Sequence, residues 1–176
     1  IGSDPMQANV SEQPPTIRDR LLREVVGFVR SAARVSGVRS VALIGSIVTD
    51  RQDPKDVDLL VVVAHGMDLA PLAACARRLQ GHTQSFNRGA DVFLADDQGR
   101  YLGRTCPWKN CGPEFRASCD ALRCGVRRYL HDDLRTVRLR DEVIAAPPVK
   151  LWPVVERRGT LPGDVERILL ELENTG

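Results

Sequence analysis

A pair of aspartates stands at the head of the longest apolar run of this chain. Residues 43–63 read LIGSIVTDRQDPKDVDLLVVV, in which Asp56 and Asp58 lead into a Leu- and Val-rich stretch typical of a buried strand. Side chains alternate across a strand, so both carboxylates are predicted on one face, with Val57 and Leu59 on the other. Two adjacent carboxylates repel each other and resist desolvation. A divalent cation removes both penalties, so the pair predicts a site for Mg²⁺ or Mn²⁺.

The elements around the pair predict a mixed β-sheet flanked by helices. The order helix, strand, turn, strand, helix, strand is typical of an α/β or α+β domain. Apolar spacing and turn residues place these elements at Thr16–Val35 with Thr16 as N-cap and Asp19 three residues on, Ser40–Ile44, Val57–Ala64, about 69–79 and Gly89–Ala95. Later elements are predicted at Thr136–Leu139, at Val149–Val155 as an edge strand restricted by prolines, and at Asp164–Glu173 as a helix.

Length and composition favour a single cytoplasmic domain. The chain has 176 residues, of which 43% are hydrophobic, and such a length buries a substantial core. Ile1–Pro5 resembles a cloning remnant, so native sequence is predicted to begin at Met6 and the domain to cover 6–176, with a core at about 16–100. No signal-peptide pattern and no apolar run of ~20 residues is present, which predicts no membrane partner.

Two further features are predicted to join the aspartate pair. Asp91 interrupts the apolar pattern of a later strand at a comparable point, and all three acids converge if the two strands are adjacent. Gly45 permits a sharp bend, and Ser46 adds a hydroxyl at the start of a short turn through Thr49, whose N–H groups can face an anion.

The combined pattern resembles the signature of the DNA polymerase β-type nucleotidyltransferase superfamily. Gly45-Ser46, nine residues, Asp56-Val57-Asp58 and a distal Asp91 cover roughly 41–94, with a compact spacing most similar to the minimal nucleotidyltransferases. The resemblance implies that Asp56, Asp58 and Asp91 are catalytic and hold Mg²⁺. It further implies that Asp91 activates the attacking hydroxyl and that Gly45 and Ser46 bind the triphosphate of an NTP.

One position departs from that pattern. Minimal members often place Arg directly after Gly-Ser, whereas this chain has Ile47, and Arg51 or Lys55 is the substitute that the sequence offers. The predicted activity is transfer of an NMP group from an NTP to a hydroxyl on a small molecule, an RNA or a protein, with release of pyrophosphate. A non-catalytic nucleotide- or RNA-binding module is the alternative, and a toxin-type modifier of RNA or protein is a third reading.

A cysteine-rich, basic segment at 101–135 is predicted to form a C-terminal insertion or subdomain. Residues 100–140 carry ten Arg or Lys against four acids, and such a face attracts polyanions unless it is simply a solvated surface. Four of its residues are candidate ligands of a structural Zn²⁺, with gaps of four, seven and four residues: Cys106, Cys111, Cys119 and Cys124. The alternative is a set of reduced cysteines packed with Trp108 and Phe115.

The remaining cysteine, histidines and aromatic residues are given structural roles. Cys75 is predicted in the core. His65 and His82 are predicted at the surface, His82 in a loop, while His131 is a weak candidate for a metal site. Four aromatic residues in or near the basic segment are predicted mainly as core, with base stacking as the alternative: Tyr101, Trp108, Tyr129 and Trp152.

Overall fold

The computed structural model describes residues 13–111, 127–132 and 148–175, which form three helices and one six-stranded mixed sheet. The α/β class predicted from the element order is therefore confirmed. The helices are α1 (Ile17–Ala32), α2 (Ala70–Gln84) and α3 (Gly163–Glu173). The strands are β1 (Val38–Ile44), β2 (Asp56–Val63), β3 (Gly89–Ala95), β4 (Tyr101–Thr105), β5 (Leu130–His131) and β6 (Val149–Trp152).

The sheet has the strand order β5-β4-β3-β2-β1-β6. Only the central pair, β2 and β3, is parallel, and α2 makes the crossover between them; the other neighbours are antiparallel. A 3₁₀ turn over Gly45–Val48 joins β1 to the loop before β2. The end of β1 and the beginnings of β2 and β3 thus lie at the same end of the sheet.

Helix α1 begins where its sequence predicts. Thr16 is the N-cap, and its hydroxyl accepts the Asp19 N–H while the Asp19 carboxylate accepts the Thr16 N–H, which completes a capping box. The apolar stripe of the helix is buried against the sheet and α2. The helix ends at Ala32 rather than Val35, because a turn through Gly37, which has φ +93°, redirects the chain into β1.

The two faces of β2 differ sharply. Val57, Leu59, Val61 and Val63 are almost completely buried in the core, and each such side chain contributes roughly 1.5–3 kcal/mol. The alternate residues of 56–62, which include both aspartates, are only half-buried. The alternation predicted from the sequence is confirmed, and the aspartates lie on the face opposite the main core.

A buried ion pair ties the terminal elements to the 3₁₀ turn. Arg18 on α1 is only 4% exposed. Its Nε donates to Asp164 Oδ2 on α3 at 2.6 Å, and its two terminal nitrogens donate to the carbonyls of Ile47 and Arg51 at 2.9 and 2.7 Å. One guanidinium therefore fixes the backbone on either side of Thr49.

Several predicted elements are corrected. Helix α2 continues beyond Leu79 to Gln84, and this last part of the helix buries Thr83 completely. His82 therefore lies in the helix, and the loop predicted for it is wrong. Strands β4 and β5 were not predicted. The strand predicted at Thr136–Leu139 lies outside the described residues. At the far edge, β6 is confirmed as an edge strand that ends before Pro153. No helix among the described residues is long and apolar enough to cross a membrane.

Candidate functional site

Three carboxylates gather where the parallel strands begin. The register of β2 and β3 sets Asp58 directly opposite Asp91, and Asp56 opposite Gly89. Asp56 and Asp58 share one face of β2, and the side chains of opposed residues share a face of the sheet. Two adjacent strands therefore bring together the three acidic residues that were predicted from the sequence to converge.

Gly45 packs directly against Asp58. Ile44, the last residue of β1, lies opposite Asp58, and the chain then turns through Gly45 with φ +77°. A Cβ atom on Gly45 would lie 2.6 Å from Asp58 Oδ2, well inside van der Waals contact. The missing side chain leaves room for the carboxylate, so the bend and the aspartates form one continuous site.

Replacing Gly45 with Ala is expected to disturb the site beyond its effect on the backbone. The left-handed conformation costs a non-glycine residue about 1–2 kcal/mol, and the new methyl group must also displace the Asp58 carboxylate. Gly99→Ala is the matched control, because Gly99 has φ +76° and open space around its Cβ position. Denaturant unfolding should give a larger loss of stability for Gly45→Ala than for Gly99→Ala, and equal losses would contradict the contact with Asp58.

The surroundings of Asp58 favour its neutral form in the absence of a cation. Burial raises the pKa of Asp58 to about 7, and the charges of Asp56 and Asp91 add to the effect. A cation placed between the carboxylates would oppose both causes, because it replaces lost hydration and offsets the repulsion. The arrangement therefore has the electrostatic character of a cation site.

The same pKa shift predicts a pH dependence of stability in metal-free buffer. The folded protein holds a proton on Asp58 more tightly than the unfolded chain does, so stability falls as pH rises from about 4 to about 7 and then levels off. Asp58→Asn removes this titrating group. The free energy of unfolding of the variant, relative to that of the wild type, should therefore rise by on the order of 3 kcal/mol between pH 4 and pH 7. Unfolding in chelator between pH 4 and 8 measures it; a constant difference between the two proteins would contradict the assignment.

Asp91 has a cationic partner that the sequence did not predict. Arg104 on β4 donates from Nη1 to Asp91 Oδ1 at 3.1 Å. Phe93 on β3 lies opposite Arg104, so the two members of the ion pair are diagonal neighbours on one face of the sheet. The third carboxylate is therefore already held by a guanidinium.

Two of the three carboxylates, those of Asp56 and Asp58, form a suitable ligand pair for a divalent cation. Carboxylate oxygens suit Mg²⁺, which commonly uses one or two protein carboxylates and completes its shell with phosphate and water. Asp56 and Asp58 supply such a pair. Within residues 13–111, 127–132 and 148–175, however, no group of three or more His, Cys, Asp or Glu side chains encloses a single metal position, and Asp91 is the member turned to Arg104.

The residues after Gly45 divide between the core and the surface. Ser46 is half-buried in the 3₁₀ turn over Gly45–Val48, and the N–H of Thr49, the next residue, donates to Ser46 O at 3.1 Å. Ile47 is completely buried, so position 47 serves the core. Arg51 and Lys55 are both exposed on the loop before β2 and remain the cations that the loop offers to an anion.

The cysteines and histidines have more modest roles. Cys75 is buried, as predicted, and Cys106 and Cys111 are buried as well, while Cys119 and Cys124 lie outside the described residues, so a zinc site stays a prediction. His65 is exposed as predicted, and His131 is buried in β5. His82, in the last turn of α2, bonds through Nδ1 to Glu24 at 2.8 Å.

The aromatic residues do not all lie in the core. Trp108 is 50% exposed, so the core prediction is wrong for this residue. Tyr129 and Trp152 are partly buried against the core, and Tyr101 packs near Phe93 with a centroid distance of 6.2 Å. Much of the basic segment lies outside the described residues.

Comparisons with known proteins add no assignment. No protein-family model matches the chain, and no curated protein matches it either.

Proposed function

We propose that this protein is a divalent-cation-dependent nucleotidyltransferase of the DNA polymerase β type, which transfers an NMP group from an NTP to a hydroxyl acceptor. The observation that carries the proposal is the meeting of Asp56, Asp58 and Asp91 beside Gly45. Support comes from their order along the chain and from the strand register. The raised pKa of Asp58 adds electrostatic support for a cation.

In the proposed reaction the acceptor oxygen attacks the α-phosphorus of the NTP. The new O–P bond forms as the bond from the α-phosphorus to the bridging oxygen breaks, pyrophosphate leaves and the hydroxyl proton is lost. Asp56 and Asp58 would hold Mg²⁺ or Mn²⁺, which supplies Lewis-acid activation and charge neutralisation at the phosphates. Asp91 would accept the proton, and Gly45 and Ser46 would receive the triphosphate.

A non-catalytic nucleotide- or RNA-binding module is the second candidate, favoured by one observation. Ile47 is buried where minimal nucleotidyltransferases often carry Arg, so phosphate binding would rely on Arg51, Lys55 or the turn itself. A binding module retains the nucleotide and releases no pyrophosphate, which separates the two candidates by experiment.

The test is transfer of label to an acceptor. The protein is incubated with each α-labelled NTP, Mg²⁺ and a cell extract, and the labelled product is isolated while pyrophosphate is assayed in parallel. We expect label on one acceptor class, lost in chelator, which would also distinguish a small molecule from RNA or protein. Nucleotide binding without pyrophosphate release, across all NTPs and extracts, would favour the binding module.

A further inference from the structure

The ion pair between Arg104 and Asp91 bears on how many ions the site can hold. Its two side chains remain partly accessible, at 28% and 35% exposure, so the pair borders the open face of the sheet where the other carboxylates lie. Asp58 lies directly across from Asp91 in the parallel register. Arg104 therefore brings a positive charge to the same cluster that a metal would occupy.

We infer that Arg104 is a built-in counter-ion that takes the place of a second divalent cation. Without nucleotide, the site then binds one divalent ion through Asp56 and Asp58, while Asp91 remains paired with the Arg104 guanidinium. This inference rests on the proposed function, because it assumes that the carboxylate pair binds a divalent cation. It assigns Arg104 as a positioning residue that sets the ion stoichiometry.

The charge on Arg104 explains why the ion binds to Asp56 and Asp58 and not to Asp91. A guanidinium stays protonated across the pH range of ordinary protein solutions, so Arg104 carries a permanent positive charge. It donates to Asp91 Oδ1 at 3.1 Å and repels any cation that approaches that oxygen. Asp56 and Asp58 make no ion pair within the described part of the chain, so a divalent ion binds there without displacing a cation.

A bound nucleotide changes the charge of the site and with it the number of cations that the site can hold. A triphosphate brings several negative charges, and its oxygens are additional ligands for a hard cation. A second ion can then enter with the nucleotide. In the nucleotide-free protein, by contrast, Arg104 and one divalent ion share the three carboxylates.

The experiment counts ions with Mn²⁺ alone as the probe. Free Mn²⁺ is followed by electron paramagnetic resonance during titration of the wild type and of Arg104→Gln, Arg104→Lys, Arg100→Gln and Asp58→Asn. Arg100 pairs with Asp96 at 2.7 Å outside the site, so Arg100→Gln is the matched loss of an Arg–Asp pair. Circular dichroism checks that each variant is folded, and Arg104→Lys preserves the charge if the neutral variant is unstable.

We expect one site in the wild type, Arg104→Lys and Arg100→Gln, and a second site in Arg104→Gln. Two sites in the wild type, or no additional site in Arg104→Gln, would overturn the role of Arg104 and leave the proposed function standing. Loss of binding only in Asp58→Asn would confirm where the first ion binds. Equal Mn²⁺ binding by the wild type and Asp58→Asn would instead refute the metal site, and with it the proposed function.

Discussion

Asp58→Asn is expected to lower metal-dependent NMP transfer by at least about a thousandfold while the protein stays folded. Loss of a metal ligand removes several kcal/mol of charge stabilisation in the transition state, and each 1.4 kcal/mol corresponds to about tenfold in rate. The fold should survive, because the asparagine keeps the shape of a half-buried side chain and removes a charge that is unfavourable in metal-free protein. Steady-state release of pyrophosphate measures the effect.

The control for this prediction is Asp97→Asn. Asp97 is an exposed aspartate in the loop between β3 and β4, away from the three carboxylates, so its replacement should leave the rate within about twofold of the wild type. Comparable turnover by Asp58→Asn and Asp97→Asn would show that the carboxylate pair does not hold the catalytic ion.

Arg18→Met is expected to cost about 3–5 kcal/mol of folding stability. Removing one member of a buried ion pair leaves the other charge without compensation. In this case Asp164 loses its cationic partner, and the carbonyls of Ile47 and Arg51 each lose the guanidinium donor. Because those carbonyls lie in and after the 3₁₀ turn, we also expect the Gly45–Ser46 bend to become less ordered.

Arg30→Met provides the comparison on the same helix. Arg30 pairs with Glu171 at 3.0 Å, but both side chains are about half exposed, and such surface pairs contribute roughly 0–1 kcal/mol. Urea unfolding of the two variants should therefore differ by several kcal/mol. Similar losses would mean that the Arg18 network is no more important than a surface ion pair.

The region around the aspartates could be predicted because its signals are local. The strict alternation of β2 follows from period-two patterning, and the capping box of α1 follows from Thr16 and Asp19 alone. The meeting of Asp58 with Asp91 required that β2 and β3 be neighbours and that the two strands begin at about the same level. A helix of suitable length between two apolar strands makes that pairing the common outcome.

Two ion pairs that the sequence did not predict join residues on different helices or strands. Arg18 and Asp164 are 146 positions apart, and neither is distinguished by its neighbours. The pairing of Arg104 with Asp91 could have been inferred from the turn before β4. In that turn Asp96 Oδ1 accepts the N–H groups of Gln98 and Arg100, and Gly99 has a positive φ. Such a hairpin returns β4 along β3 and carries Arg104 back to Asp91.

The most direct measurement is the position of Mn²⁺ in crystals grown with a non-hydrolysable NTP analogue, located by anomalous scattering. The account predicts an ion coordinated by carboxylate oxygens of both Asp56 and Asp58, at about 2.1 Å as for Mg²⁺, with the triphosphate against Gly45 and Ser46. A bound nucleotide whose ion lies elsewhere, with Asp56 and Asp58 uncoordinated, would contradict it.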